Sequence, residues 1–207
     1  MSENESPASL KIDYPEKLSR LTTFFRGITV IPILVILSLV NSSNASWNAT
    51  DSTSFEYTGI GILFIPLVLM LLFRQKYPRW WFDWNLALYR FSTRVCAYFA
   101  LLRDEYPSTD EEQAVHLDIA YPDAAKDLNQ WLPLVKWLLA IPHYIVLAFL
   151  FIAVVVCVVI AWFAILFTGT YPRGLFDFVV GVLRWELRVI SYSILLTTDD
   201  YPPFSLD

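Results

Sequence analysis

The chain has 207 residues, of which 56% are hydrophobic, 16% aromatic and only 17% charged, with a formal net charge of −5. A soluble domain carries about 25% charged residues, so the balance points away from a water-soluble globule, and no basic run offers a nucleic-acid surface. Acidic residues gather in 1–16, in 104–127 and at Asp199 and Asp200, which marks those parts as water-facing.

In chain order, 1–11 is a polar, acidic tail, unlike a cleavable signal sequence. A first membrane repeat follows over 12–107. It opens with a hydrophobic helix over 20–40 and a shorter one over 58–73. The loop between them, 41–57, has no Lys or Arg, whereas Lys11, Lys17, Arg20, Arg74, Lys76 and Arg79 flank the pair on the other side. Positive residues stay cytoplasmic, so the N-terminus is expected inside and loop 41–57 outside. Its sequons at Asn41, Asn44 and Asn48 are what a loop rich in Ser, Thr and Asn also produces by composition. An amphipathic helix over 80–102 completes the repeat, and 108–118 reads as an acidic linker.

The second membrane repeat, 119–207, contains a nearly continuous apolar stretch over 131–168. Within it, 145–167 runs 23 residues without a charge, and about 20 suffice to cross a hydrocarbon core of about 30 Å. One helix over the whole stretch would reach ~57 Å. It is therefore either one helix kinked near Pro142 or a hairpin, and both remain open. A second amphipathic helix covers 175–197. Cys96 and Cys157 sit in apolar stretches and read as small packing residues.

The two repeats are legible residue by residue. Tyr77, Pro78, Arg79, Phe82, Asp83, Arg90, Arg94 and Tyr98 recur as Tyr171, Pro172, Arg173, Phe176, Asp177, Arg184, Arg188 and Tyr192, always 94 positions on. Upstream, Ile12-Asp13-Tyr14-Pro15 matches Ile119-Ala120-Tyr121-Pro122, and Ile31-Pro32 matches Ile141-Pro142. Tyr-Pro occurs six times. Pro is tolerated in a helix's first turn and Tyr favours the membrane interface, so the dipeptide marks helix starts. The expected fold is an all-α, polytopic helical membrane protein with an internal tandem duplication.

Candidate sites follow from the charges. Asp83, Ala87, Arg90 and Arg94 share one helical face, and Asp177, Gly181, Arg184 and Arg188 repeat it. A charge at the bilayer centre costs about 2.5–3.5 kcal/mol, which favours interfacial over crossing helices. Arg90, Arg94, Arg184 and Arg188 are candidates for lipid phosphate or an acidic partner, because a guanidinium donates two hydrogen bonds in a fixed fork. Asp83 and Asp177 pair either with Arg79 and Arg173 at i, i+4, or across the repeats with Arg184 and Arg90. His143 stands at the Ile-Pro step and reads as an interfacial or capping residue before a proton carrier or ligand. No catalytic, cofactor-binding or metal-binding pattern is present.

The pattern Tyr-Pro-Arg…Phe-Asp-Phe…Arg…Arg…Tyr…Asp-Asp-Tyr-Pro-Pro-Phe, preceded by Ile-Pro-His, resembles a bacterial membrane family known only as domain of unknown function 4389. Ile141, Pro142, His143, Gly169, Tyr171, Pro172, Phe176, Arg184, Tyr192 and 201–204 carry the resemblance. The first repeat departs from it: Ile33 stands where His143 would, Gly169 has no counterpart before Tyr77, and Ser108 replaces the second Pro. The resemblance implies a bacterial inner-membrane protein without an established activity. The expected function is a non-catalytic accessory or scaffold subunit that contacts lipids, a membrane-protein partner or a second copy through the arginine-bearing helices. The alternative is a small transporter or channel, which the scarcity of polar groups in the apolar helices disfavours.

Overall fold

The computed structural model describes residues 7–41, 59–109, 111 and 113–207. Apart from the backbone of Asn41, the expected loop 41–57 and its sequons lie outside them. The described chain is mostly helical, but it is not all-α. Ala8–Ile12 (β1) and Val115–Ile119 (β2) form a two-stranded antiparallel sheet, with Leu10 opposite Leu117. Both strands alternate apolar and polar residues, so Ala8, Leu10, Ile12, Val115, Leu117 and Ile119 share one buried face. β1 begins inside the expected tail and β2 inside the expected linker. Five residues of alternation in a charged context are too short to stand out as strands, and a lone two-stranded ribbon is marginal in water. Its stability comes from what covers it.

The first apolar segment forms two helices, Arg20–Thr29 (α1) and Ile31–Asn41 (α2), with Val30 between them. Pro32 lacks the amide proton that a continuous helix would use, and Val30 turns the chain while Leu34 still donates to its carbonyl at 3.0 Å. Gly59–Arg74 (α3) follows, then the amphipathic Arg79–Phe99 (α4). The second segment repeats this step. Lys136–Leu139 (α5) and Ile141–Thr168 (α6) meet at Ala140, where Tyr144 donates to the Ala140 carbonyl at 3.0 Å. No hairpin interrupts α6, so the kinked-helix alternative holds. Among the described residues α6 is the one helix long and apolar enough to span a membrane. Arg173–Ser193 (α7) turns back along it.

These elements stack in layers. The outer face of the sheet presents Ser9, Lys11, His116 and Asp118 to water. Beneath it α4 packs on β2 and α7 on β1. Each strand is thus covered by a helix from the other half of the chain. Beneath α7 lies α6, which buries His143, Leu147, Val154, Ala161 and Ile165 along its whole length. Val30 and Ile33 pack likewise on Phe91, Val95 and Tyr98 of α4. The far side of α6 is exposed and apolar.

Two ends are fixed by backbone geometry. α6 stops at Gly169, φ +78°, whose amide donates to Ile165 and whose carbonyl accepts from Leu18 at 2.9 Å. Gln75 ends α3 in the same left-handed region, φ +45°. The counterpart of Gly169 is therefore present as a conformation without the glycine. Gly181 permits a close approach instead: a Cβ there would lie 2.8 Å from the Leu206 carbonyl oxygen.

Gly181→Ala should accordingly lift the C-terminal arm off α7 and lower stability by about 1–3 kcal/mol. Thermal unfolding in detergent measures this, and a chain ending at Ser205 should tolerate the same substitution.

Candidate functional site

The arginine faces point into the fold. Arg90 Nε donates to the Leu117 carbonyl at 2.9 Å, and Arg184 Nε donates to the Leu10 carbonyl at 3.1 Å. Arg94 donates to Ser108 O at 2.8 Å and Arg188 to Ser205 O at 2.6 Å. The remaining charge partner of Arg90 is Asp118, at 3.1 Å. The expected cross-repeat pairs, Asp83 with Arg184 and Asp177 with Arg90, do not form among the described residues. Asp83 is exposed and pairs with Arg79 at 3.7 Å, the i, i+4 alternative, while Asp177 is exposed and makes no ion pair among the described residues. The halves do cross, but through carbonyl oxygens on the strands.

The Tyr-Pro residues cross as well. Tyr121 donates to the Tyr77 carbonyl at 2.6 Å, and Tyr14 donates to the Tyr171 carbonyl. Arg79 lies 4.7 Å over the Tyr121 ring and Arg173 lies 4.4 Å over the Tyr14 ring. Phe82 meets Tyr121 edge-on at 5.1 Å, and Phe176 meets Tyr14 at 5.0 Å. The Tyr-Pro-Arg helix start of one half thus grips the Tyr-Pro of the other.

Two cation clusters went unnoticed at the sequence level. Arg26 on α1 is buried; its guanidinium pairs with Asp104, donates to Tyr98 O at 3.0 Å and lies 4.5 Å over the Tyr98 ring. Lys136 on α5 is fully buried; its ammonium pairs with Asp199 at 2.7 Å, donates to Thr198 O at 2.6 Å and sits 5.2 Å from the Tyr192 ring centre. The second carboxylate oxygen of each Asp accepts a backbone amide, Ser19 for Asp104 at 2.6 Å and Asn129 for Asp199 at 2.5 Å. Each cation stands five residues before Ile-Pro, and each Asp two residues before the Tyr of a Tyr-Pro. Aligning the halves on Ile-Pro would have exposed the pattern, which the Arg-to-Lys difference conceals.

His143 is fully buried on α6. Its Nδ1 accepts the Trp185 indole N–H at 3.1 Å, and its ring stacks on Phe204 at 4.0 Å. It anchors the C-terminal arm, and no group of His, Cys, Asp or Glu able to hold a metal occurs among the described residues.

Where α4 and α7 face each other beside Leu10, a cleft of about 160 Å³ remains. Four positions of α4 line it, Tyr89, Ser92, Thr93 and Cys96, and four of α7 do so at the same 94-residue offset, Leu183, Glu186, Leu187 and Ile190. One wall is polar, the other apolar with a single carboxyl. Burial pushes the Glu186 carboxyl up to about 7, and burial together with Glu186 pushes the Tyr89 hydroxyl and the Cys96 thiol each up to about 12. Glu186 has no hydrogen-bond or ion-pair partner among the described residues. It was absent from the sequence-level candidates because nothing in its local pattern sets it apart.

A protein-family model described as Domain of unknown function (DUF4389) matches residues 133–205. The match coincides with the half whose resemblance to that family the motifs carry. No curated protein and no solved structure matches the chain.

Asp199→Asn would leave the buried Lys136 charge uncompensated, an effect of about 3–5 kcal/mol. Denaturant unfolding should register that loss, and the double change with Lys136→Met should recover most of it. Glu186 predicts a pH effect of opposite sign to the usual carboxylate. Its folded-state pKa, about 7, lies above the ordinary 4.5, so the folded chain holds the proton more tightly and loses stability as pH rises through that window. Between pH 5 and pH 8 the thermal midpoint of Glu186→Gln should fall less than that of the parent.

Proposed function

We propose that the chain is a non-catalytic membrane protein, built by tandem duplication, whose apolar helical layer sits in lipid while its sheet layer faces water as a platform for a partner or a second copy. One observation carries the reading: the two outer faces of the stack are of opposite chemistry. On the α6 side, Phe149, Ile152, Val155, Val159, Phe163 and Phe167 are all at least half exposed, and only 17% of the most apolar window of that helix is buried. The core helix of a soluble protein is mostly buried, and an apolar surface of this length is a membrane or partner surface. Leu21, Phe24, Phe25 and Ile28 extend it over α1.

The reciprocal contacts between halves support duplication. The strand clamps, the tyrosine grips and the cation clusters each occur twice at matching positions. Because the four guanidinium groups each serve a strand or arm carbonyl, this reading does not assign lipid binding to them. Lipid contact passes to the apolar layer.

The layering bears on orientation too. β1 lies against the middle of α7, at Arg184, and open sheet edges are not tolerated in hydrocarbon. α7 therefore belongs at the interface. Since α6 packs against α7, this reading lays it in the same plane, embedded in one leaflet, instead of in the crossing that its length permits.

Side-specific labelling tests this. Single cysteines at Asn129 and Thr170, in a chain lacking Cys96 and Cys157, flank the two ends of the α5–α6 unit. In sealed vesicles an impermeant maleimide should reach both from the same side. Labelling from opposite sides would reject the in-plane seat, and a chain that stays monodisperse in buffer without detergent would reject the membrane reading altogether.

A further inference from the structure

We propose that the cleft between α4 and α7 binds a small organic cation, a protonated amine on a short apolar body, with the ammonium against Glu186 and the body against Leu183, Leu187 and Ile190. This does not depend on how the chain sits in the membrane.

The chemistry of the walls sets the ligand class. Among the described residues Glu186 is the only acidic one lining the cleft, and no cation pairs with it. The arginines that flank it on α7 are turned away, Arg184 to the Leu10 carbonyl and Arg188 to the Ser205 carbonyl. An anion would meet a carboxyl and no donor charge. A cation would meet the carboxyl and, across the cleft, the hydroxyl oxygens of Ser92 and Thr93. An ammonium brings three donors and no acceptor, which suits one carboxylate and two hydroxyls. Burial favours the neutral carboxyl at Glu186, and a bound cation favours the ionised form, so ligand and proton compete.

The apolar wall and the volume set the size. Leu183, Leu187 and Ile190 lie at i, i+4 and i+7 on α7 and form a continuous stripe beside the carboxyl. A protein cavity of about 150 Å³ accepts benzene, so a cleft of about 160 Å³ with one open side accommodates a six-membered ring or a short alkyl chain carrying an amine. The two halves differ at all four corresponding lining positions, with the Tyr89, Ser92 and Thr93 hydroxyls on α4 and the Leu183, Leu187 and Ile190 side chains beside the Glu186 carboxyl on α7. The cleft therefore has direction, and an amphipathic ligand has one orientation in it.

The test uses the full chain in lipid nanodiscs at pH 8, with benzylamine as the probe and benzyl alcohol as its uncharged counterpart. Titration calorimetry and the thermal midpoint are both read. Benzylamine should bind saturably, and benzyl alcohol at least roughly tenfold more weakly, the discrimination expected of a hydrogen bond to a charged group. Glu186→Gln should erase that difference. Ser92→Phe fills the cleft but keeps the carboxyl, and should abolish binding of both probes. Equal responses to amine and alcohol, equal responses of parent and Glu186→Gln, or unchanged binding in Ser92→Phe would each overturn the proposal. The first two mean partition into lipid, and the third means a site elsewhere. If Glu186→Gln fails to fold, the Ser92→Phe comparison decides alone.

Discussion

A two-stranded ribbon has two open edges, and this fold closes each with one arginine. Ladder bonds join Asp13 to Ala114 and Ala120 to Pro7. With the period of two, Leu10 and Leu117 form a pair whose own amides and carbonyls point away from the partner strand. Those outward carbonyls are the ones that accept from Arg184 and Arg90. A buried carbonyl without a donor is destabilising by roughly 1–3 kcal/mol, and an exposed edge invites pairing with another chain. One guanidinium on each edge answers both problems. It also docks α4 and α7 at their midpoints and so sets the positions of everything below them.

The clamps explain why the halves are interleaved. The arginine that closes β1 sits on α7 and the one that closes β2 sits on α4, so neither half completes its own sheet. The tyrosine grips obey the same crossing rule. The cation clusters do not: Arg26 with Asp104 and Lys136 with Asp199 each close within one half. They tie the start of each apolar helix to the end of its amphipathic partner. The division is physically sensible. The ion pairs are local and fixed by backbone amides, while the cross-half contacts end on carbonyls of the buried Leu10, Leu117, Tyr77 and Tyr171, and a buried carbonyl requires a donor.

Much of this was legible in the sequence because it rests on residue identities that recur at a fixed offset. The two amphipathic helices follow from such matches, the Ile-Pro steps from a separate match, and the apolar stretch 131–168 from hydropathy, which leaves a hairpin and a kinked helix both open. Crossing of the halves is expected from the sequence through Asp83 with Arg184 and Asp177 with Arg90, pairs that do not form among the described residues. The strands were hidden because alternation over Ala8–Ile12 and Val115–Ile119 is brief and each is framed by charge. The partners of the arginines were hidden for a different reason: sequence pattern identifies side chains, whereas Arg90 and Arg184 bind backbone oxygens that every residue carries. Lys136 escaped because an isolated lysine before an apolar helix reads as a snorkelling end, while its ammonium is fully buried. Glu186 escaped because its environment is assembled from two helices and a strand far apart in the chain.

Under the proposed duplication, the cleft marks the place where symmetry is least tolerable. Residues near a twofold axis face their own copies, so an ancestral pair of identical helices would have set like against like, carboxyl against carboxyl or leucine against leucine. Two facing carboxylates would repel, and two facing leucines would close the gap. In this chain Ser92 and Glu186, and likewise Thr93 and Leu187, hold corresponding positions on the two helices that line the cleft, and they differ in each pair. Away from the axis the paired arginines, tyrosines and phenylalanines do not meet their copies, and there they have stayed alike. Under that reading the contacts of arginines, tyrosines and phenylalanines with the other half's backbone and rings occur twice, while the helix positions that line the cleft differ between the halves.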